Sequence, residues 1–245
     1  MIRLGGSAVP ALSNLRRALT LCIAGHTTLE AVAQQIIDLL HAEFVGDNPA
    51  SPDVALVRCF VTCPYSALAP RPALRAKARQ LLDGREPDAS HRCMVLLGTR
   101  GMEPAWDQRH LSGGHQVIPL GSPELMRKTP MITELCRQIG ISRDAFLKEG
   151  KLPPLDLAVR NAGCFHIENV QGGSPFVPAH ADFVQPYGIR SVLGLGAPID
   201  EHDFFAVLIF ARVPISAEMA AALKPLTVSI KLALSVLHHR LFTNA

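Results

Sequence analysis

The sequence predicts an α+β fold: one central antiparallel sheet of about five or six strands, with the amino- and carboxy-terminal helices packed on one face. Three observations lead there. Two strand-like runs, 188–196 and 203–213, are separated by Ala-Pro-Ile-Asp-Glu-His, a link too short for a crossover helix, so they form a hairpin. The second run is apolar on both faces. Phe204, Ala206, Leu208 and Phe210 share one face and Phe205, Val207, Ile209 and Ala211 the other, which places it centrally and covered on both sides. Helical periodicity sits mainly at the two ends of the chain, with strands between.

Residues 1–10 read as a flexible tail and 11–245 as a single domain. Leu12, Leu15 and Leu19 make a helical stripe over 11–24, ended by Gly25. A second helix is expected from Thr27, because Thr27-Thr28-Leu29-Glu30 has the capping-box pattern, and Leu29, Val32, Ile36 and Leu40 give it an apolar face to about Phe44. A valine-rich strand over 54–62 and a surface helix over 71–83 follow. A strand at 93–99, a loop at 106–114 holding the single tryptophan, and a short strand at 115–120 come next. A helix at 129–139 stops at Gly140. The stretch 141–157 contains Gly150, Pro153 and Pro154 and reads as irregular. Another strand is expected over 164–170, then a glycine/proline turn at 171–178 and the hairpin. The chain closes with a helix over 216–242, N-capped by Ser216 and kinked or divided by Pro225. Leu226, Ile230, Leu234, Leu237 and Leu241 form its stripe, widened by Val228, Leu232 and Val236. In the first hairpin strand, Ile189, Ser191, Leu193 and Leu195 share one face, and Arg190, Val192, Gly194 and Gly196 the other. The two glycines open a gap there for a helix or a ligand.

The stretches FVQPYGIRSVLGLG (183–196), DFFAVLIFARVPI (203–215) and KLAL (231–234) resemble the C-terminal half of GAF-like sensory domains, of the kind found ahead of bacterial histidine kinases and other signalling output modules. The resemblance spans about 160–235; over 25–135 only the order of elements agrees. It implies a small-molecule ligand on the sheet face opposite the terminal helices, under 106–120 and 161–187. These motifs do not name the ligand or cofactor.

At 245 residues and 48% hydrophobic content, the chain can bury a sizeable core. Its net charge of +3 is spread thinly, without the dense basic run of a nucleic-acid groove. No apolar segment reaches the roughly 20 residues that cross a bilayer, and the Arg16-Arg17 segment is too short in its apolar part for a secretion signal, so a cytoplasmic location is expected. Six scattered cysteines read as buried thiols. Cys59 and Cys63, four apart on a strand, lack zinc-site spacing and read as small core residues.

The candidate ligand-binding residues are Trp106, His110, Cys164, His166, His180, Asp182, Tyr187 and Arg190. On a strand, Cys164 and His166 would share a face about 7 Å apart. That suits a thiolate–imidazole pair or adjacent metal ligands, and equally a packed cysteine beside a surface histidine. His180 and Asp182 suit an oriented imidazole or a simple turn cap. His110 and His115 flank Gly113-Gly114, a flexible loop with two imidazoles, either of which could ligate haem or a metal, though this is the minor reading. Arg190 would meet an anion at the pocket rim or make a structural ion pair. No catalytic, metal-ligand or phosphate-loop motif is present. The expectation is a stand-alone, non-enzymatic sensory domain that binds a small molecule and signals to a protein partner or through a homodimer made by its terminal helices. A cysteine enzyme similar to GAF-fold reductases of free methionine sulfoxide, with Cys164 as reactive thiol and Cys93 as partner, is the alternative. A scaffold with a filled pocket is the third reading.

Overall fold

The computed structural model describes residues 1–6, 11–48, 50–120, 129–138, 163–177 and 179–242. The expected stop at Gly140, the irregular stretch 141–157 and Asn161 lie outside them. The sheet has six strands, β1 (Val54–Pro64), β2 (Arg92–Gly101), β3 (Val117–Pro119), β4 (Gly163–Ile167), β5 (Ser191–Pro198) and β6 (Phe204–Ala211). They lie in the order β3-β2-β1-β6-β5-β4, and every neighbouring pair is antiparallel.

The hairpin forms as the short link requires, β5 pairing with β6 from Ser191 opposite Ala211 to Pro198 opposite Phe204. β6 pairs with β1 on its other edge and is buried along its whole length. Its even-numbered side chains join one core cluster and its odd-numbered ones the other. β5 starts later than the pattern suggests. Gly188 has φ +64°, so the chain turns before Ser191, and Ile189 packs with the cluster opposite Ser191's neighbours Leu193 and Leu195.

One face is covered by α1 (Ser13–Leu21), α2 (Leu29–Phe44), α5 (Ala217–Leu223) and α6 (Leu226–Ser235). Leu29, Val32, Ile36 and Leu40 of α2 bury their stripe over β1 and β2, in the same core cluster as Val57, Val61 and Val95. α2 is capped by Thr28, whose hydroxyl accepts from the Ala31 amide, and not by Thr27. Glu30 cannot close the expected capping box, because its carboxylate is held by Arg109. The carbonyls of Arg240 and Leu241 accept from the Leu29 and Glu30 amides instead. Ser216 caps α5 by accepting from the Met219 amide, and Pro225 divides α5 from α6. The segment read as a tail is packed over its described part. Ile2 and Leu4 are buried and the Ile2 amide donates to Glu43 O at 2.9 Å, because the end of α2 leaves an apolar ledge for them.

α3 (Pro72–Leu81) buries only Leu74 and Ala78, as expected of a surface helix. The other face of the sheet carries α4 (Pro130–Gln138), the 106–116 loop and residues 170–189. Gly194 lies beneath Phe165 and Gly196 beneath Leu135 of α4, so the gap left by the two glycines is filled by close packing. Cys59, Cys63 and Cys93 point into the helix-covered core, and all six thiols are free.

Candidate functional site

A cavity of about 470 Å³ lies on the sheet face opposite the terminal helices. Its floor is Leu56, Arg58 and Phe60 of β1 with Leu208 and Phe210 of β6. Alternation along the two strands makes this floor: β1 and β6 are antiparallel neighbours, so residues two apart on each come to the same surface. Trp106, Gly113, Gly114 and His115 from the loop and Ile118 of β3 form one wall; Ile132 of α4, Phe176, Val177, Asp182 and Phe183 form others. The volume suits a small organic molecule, and the wall is apolar with a few polar groups, the composition of such sites.

An aromatic chain shapes the wall. Trp106 meets Tyr187 at 4.5 Å and Phe183 at 5.8 Å between ring centroids, and Phe183 meets Phe210 edge-on at 5.0 Å. Trp106 sits over Gly101, where an added Cβ would come within 2.7 Å of its ring. Phe183 and Asp182 are carried on a single π turn, His180–Val184, whose extra residue per turn re-aims the side chains.

Polar chemistry enters through Arg58 and His115. One guanidinium nitrogen of Arg58 donates to Ser112 Oγ at 2.7 Å, while its buried Nε has no hydrogen-bond partner. Burial brings the Arg58 pKa down to about 10. His115 has φ +58°, a left-handed conformation uncommon outside glycine, and follows Gly113-Gly114. Its imidazole keeps an exposed surface, and the desolvating atoms around it and, after them, the Arg58 charge hold its pKa below the ordinary value. Ser112 and Gln116 brace the loop: Gln116 Nε2 donates to the carbonyls of His110 at 3.2 Å and Ser112 at 2.5 Å.

Of the residues singled out from sequence, Trp106 and Asp182 line the cavity and Tyr187 backs it through Trp106. His110 is exposed and contributes its backbone carbonyl to the loop. His180 lines a separate depression with Gln171, Val184, Gln185 and Gly188, its Nε2 2.9 Å from Gln171 O. Arg190 is exposed, precedes β5 and is not in the lining. Cys164 and His166 do share a face, but it is the helix-covered one. The Cys164 thiol donates to Ala220 O, His166 Nε2 lies 2.8 Å from Ile215 O, and burial pushes the Cys164 thiol up to about 11. A Cys164–Cys93 redox pair does not fit this sheet. β4 and β2 stand four places apart, roughly 19 Å at the usual inter-strand spacing, and burial raises Cys93 to about 12. Sequence reading missed Arg58 and considered His115 only as a haem or metal ligand alongside His110. The available signal was a charge inside the apolar strand run VALVRCFVTC.

A larger hollow of about 690 Å³ at the start of α2, lined by Thr27, Thr28, Ser66 and Arg240 among others, is a weaker candidate. The helix amides that would bind an anion there already donate to Arg240, Leu241 and Thr28. Among the described residues no three His, Cys, Asp or Glu side chains converge as metal ligands would, and no helix is long and apolar enough to cross a membrane.

The architecture is the α+β arrangement expected from the sequence: a six-stranded antiparallel sheet, terminal helices on one face, and loops with a short helix over a cavity on the other. No family model and no curated protein matches the sequence. Among solved structures, the chain is similar to fRMsr of Staphylococcus aureus in complex with substrate, at 10% identity over 93% of this chain and 99% of that one, with a TM-score of 0.46. It is likewise similar to the free methionine-R-sulfoxide reductase of Neisseria meningitidis (11%, 95% and 95%, 0.46). A third is the GAF domain of an Acinetobacter phosphoenolpyruvate-protein phosphotransferase (11%, 92% and 93%, 0.43).

Proposed function

We propose that the chain is a non-catalytic regulatory domain that binds a small molecule in the cavity between β1, β6, α4 and the 106–116 loop. The observation that carries this reading is the asymmetry of the sheet. The face under the terminal helices is filled by interlocking side chains, whereas the other retains about 470 Å³ walled by aromatic and aliphatic groups. Filling that space from the floor tests it. Leu208→Trp is expected to leave the far-ultraviolet circular dichroism unchanged and to abolish binding of apolar probes such as 1-anilinonaphthalene-8-sulfonate. Unaltered probe binding would place the probe elsewhere and end the assignment.

The loop offers a physical route outward. Arg109, between cavity residues Trp106 and Gly113, pairs with Glu30 at the start of α2 and lies 5.2 Å from the centroid of the Phe242 ring. Arg71 covers the same ring at 4.8 Å. A ligand that shifts the loop therefore acts on the chain segment following α6. In this reading the signal passes to a second copy through α6 and its C-cap, where Val228, Leu232 and Val236 are 39%, 54% and 66% exposed along one stripe. Light scattering at micromolar concentration is expected to give the mass of two chains, reduced to one by Leu232→Glu. A wild-type monomer would remove the dimer while leaving the cavity untouched.

A further inference from the structure

We infer that the cavity selects ligands carrying a carboxylate on an apolar or aromatic body, with Arg58 as the anion-binding residue. The inference rests on the small-molecule reading above and adds the ligand's chemical class. It starts from charge balance. Buried or half-buried cations in folded proteins are paired, because an unpaired charge loses its hydration without compensation. Other arginines of this sheet follow the rule: Arg92 is held by Asp203 at 2.9 Å and Arg100 by Asp38 at 2.8 Å. Arg58 does not. It stands on the central strand β1 between Leu56 and Phe60, its partner is the neutral Ser112 hydroxyl, and among the described residues no carboxylate lies within ion-pair distance. Its Nε is buried with its proton unused. A guanidinium that lines a cavity of apolar walls and has no anionic partner among the described residues is complementary to a planar carboxylate.

The rest of the lining agrees on the body of the ligand. Phe60, Trp106, Phe183 and Phe210 supply flat apolar surface. His115, held in the left-handed region and lining the same cavity as Arg58, offers a further ring nitrogen for hydrogen bonding. Asp182, the carboxylate of the lining, is exposed and makes no ion pair with Arg58. A site that keeps a desolvated cation without a counter-charge is less stable empty than an apolar substitute would make it. That gives Arg58 a signature that a merely structural arginine lacks.

Calorimetry and thermal denaturation of the full chain with 3-phenylpropionate, 4-phenylbutyrate and their amides test the inference, with phenyl phosphate added to separate carboxylate from phosphate selectivity. In the wild type the carboxylates are expected to bind at least about tenfold more tightly than the matched amides, the step that one charge-assisted hydrogen bond supplies. Arg58→Met is expected to erase that preference, to retain amide binding within about threefold, and to melt, without ligand, at or above the wild-type temperature. Arg58→Lys keeps the charge without the planar fork and is expected to retain only part of the preference. Equal binding of acids and amides by the wild type, tighter binding of phenyl phosphate than of the carboxylates, or a lower melting temperature for ligand-free Arg58→Met would each overturn the carboxylate assignment while leaving the cavity reading intact. Failure of every probe, charged or neutral, to bind the wild type would overturn both.

Discussion

Phe205→Ala is expected to destabilise the protein by about 3–5 kcal/mol, and Phe210→Ala, five residues along the same strand, by roughly half as much. Both rings are buried on β6, one of the two central strands and covered along its whole length. They differ in what lies beyond them. Phe205 points into the helix-covered core, flanked by Val61 of β1 and Ala197 of β5, a closely filled interior in which truncation leaves a void that cannot collapse. Phe210 borders a space that already exists, so part of its surface has no neighbouring atoms to lose. Its contact with Phe183 at 5.0 Å is the main interaction forfeited. Equilibrium urea unfolding of the two variants measures the difference directly. Equal losses would mean that both faces of the sheet are filled alike, and the cavity as a ligand site would go with them.

Gly98→Ala is the second large effect, expected at about 2–3 kcal/mol. A Cβ at position 98 would come within 2.7 Å of the Ala33 carbonyl oxygen and 3.0 Å of the Gln34 amide, both backbone atoms of α2 that cannot swing aside. The close approach is fixed from the other side as well. The Gln34 side chain accepts from the Thr99 amide at 3.1 Å and donates to the Thr99 carbonyl at 3.0 Å, serving β2 as a substitute strand partner. Pushing α2 off the sheet breaks both bonds and opens the core beneath Val32 and Ile36. Gly113→Ala is the control: an added Cβ there meets nothing within 4 Å, so the change is expected to stay within about 0.5 kcal/mol. Thermal unfolding of the pair decides it. A Gly98→Ala protein as stable as Gly113→Ala would show that α2 does not lie on β2 at this distance.

Much of this architecture is written in short-range pattern. Strict alternation in 204–211 assigns each side chain of β6 to one of two faces, and the brevity of the link before it forces the hairpin. Pro225 divides the closing helix because it can neither donate to the helix nor avoid the preceding turn. The capping box at Thr27 failed for a reason no local pattern contains. Its glutamate is claimed by Arg109, seventy-nine positions away in sequence, and the amides of Leu29 and Glu30 by the far end of the chain.

The candidate site divides along the same line. Trp106, Asp182 and Tyr187 could be picked out because rare or polar types stand out in loops. Alternation also showed that Cys164 and His166 share a face. Which surface of the sheet that face belongs to is set by register, Cys164 opposite Leu195 and His166 opposite Leu193, and those partners point under the helices. Arg58 entered the cavity by the same mechanism in reverse, through its pairing opposite Leu208 on β6. The sequence by itself therefore determined which side chains travel together, where the chain turns, and that one strand is covered twice. Tertiary structure alone decided which surface stayed open and which charge it exposes, because strand periodicity has two equivalent faces and only long-range pairing tells them apart.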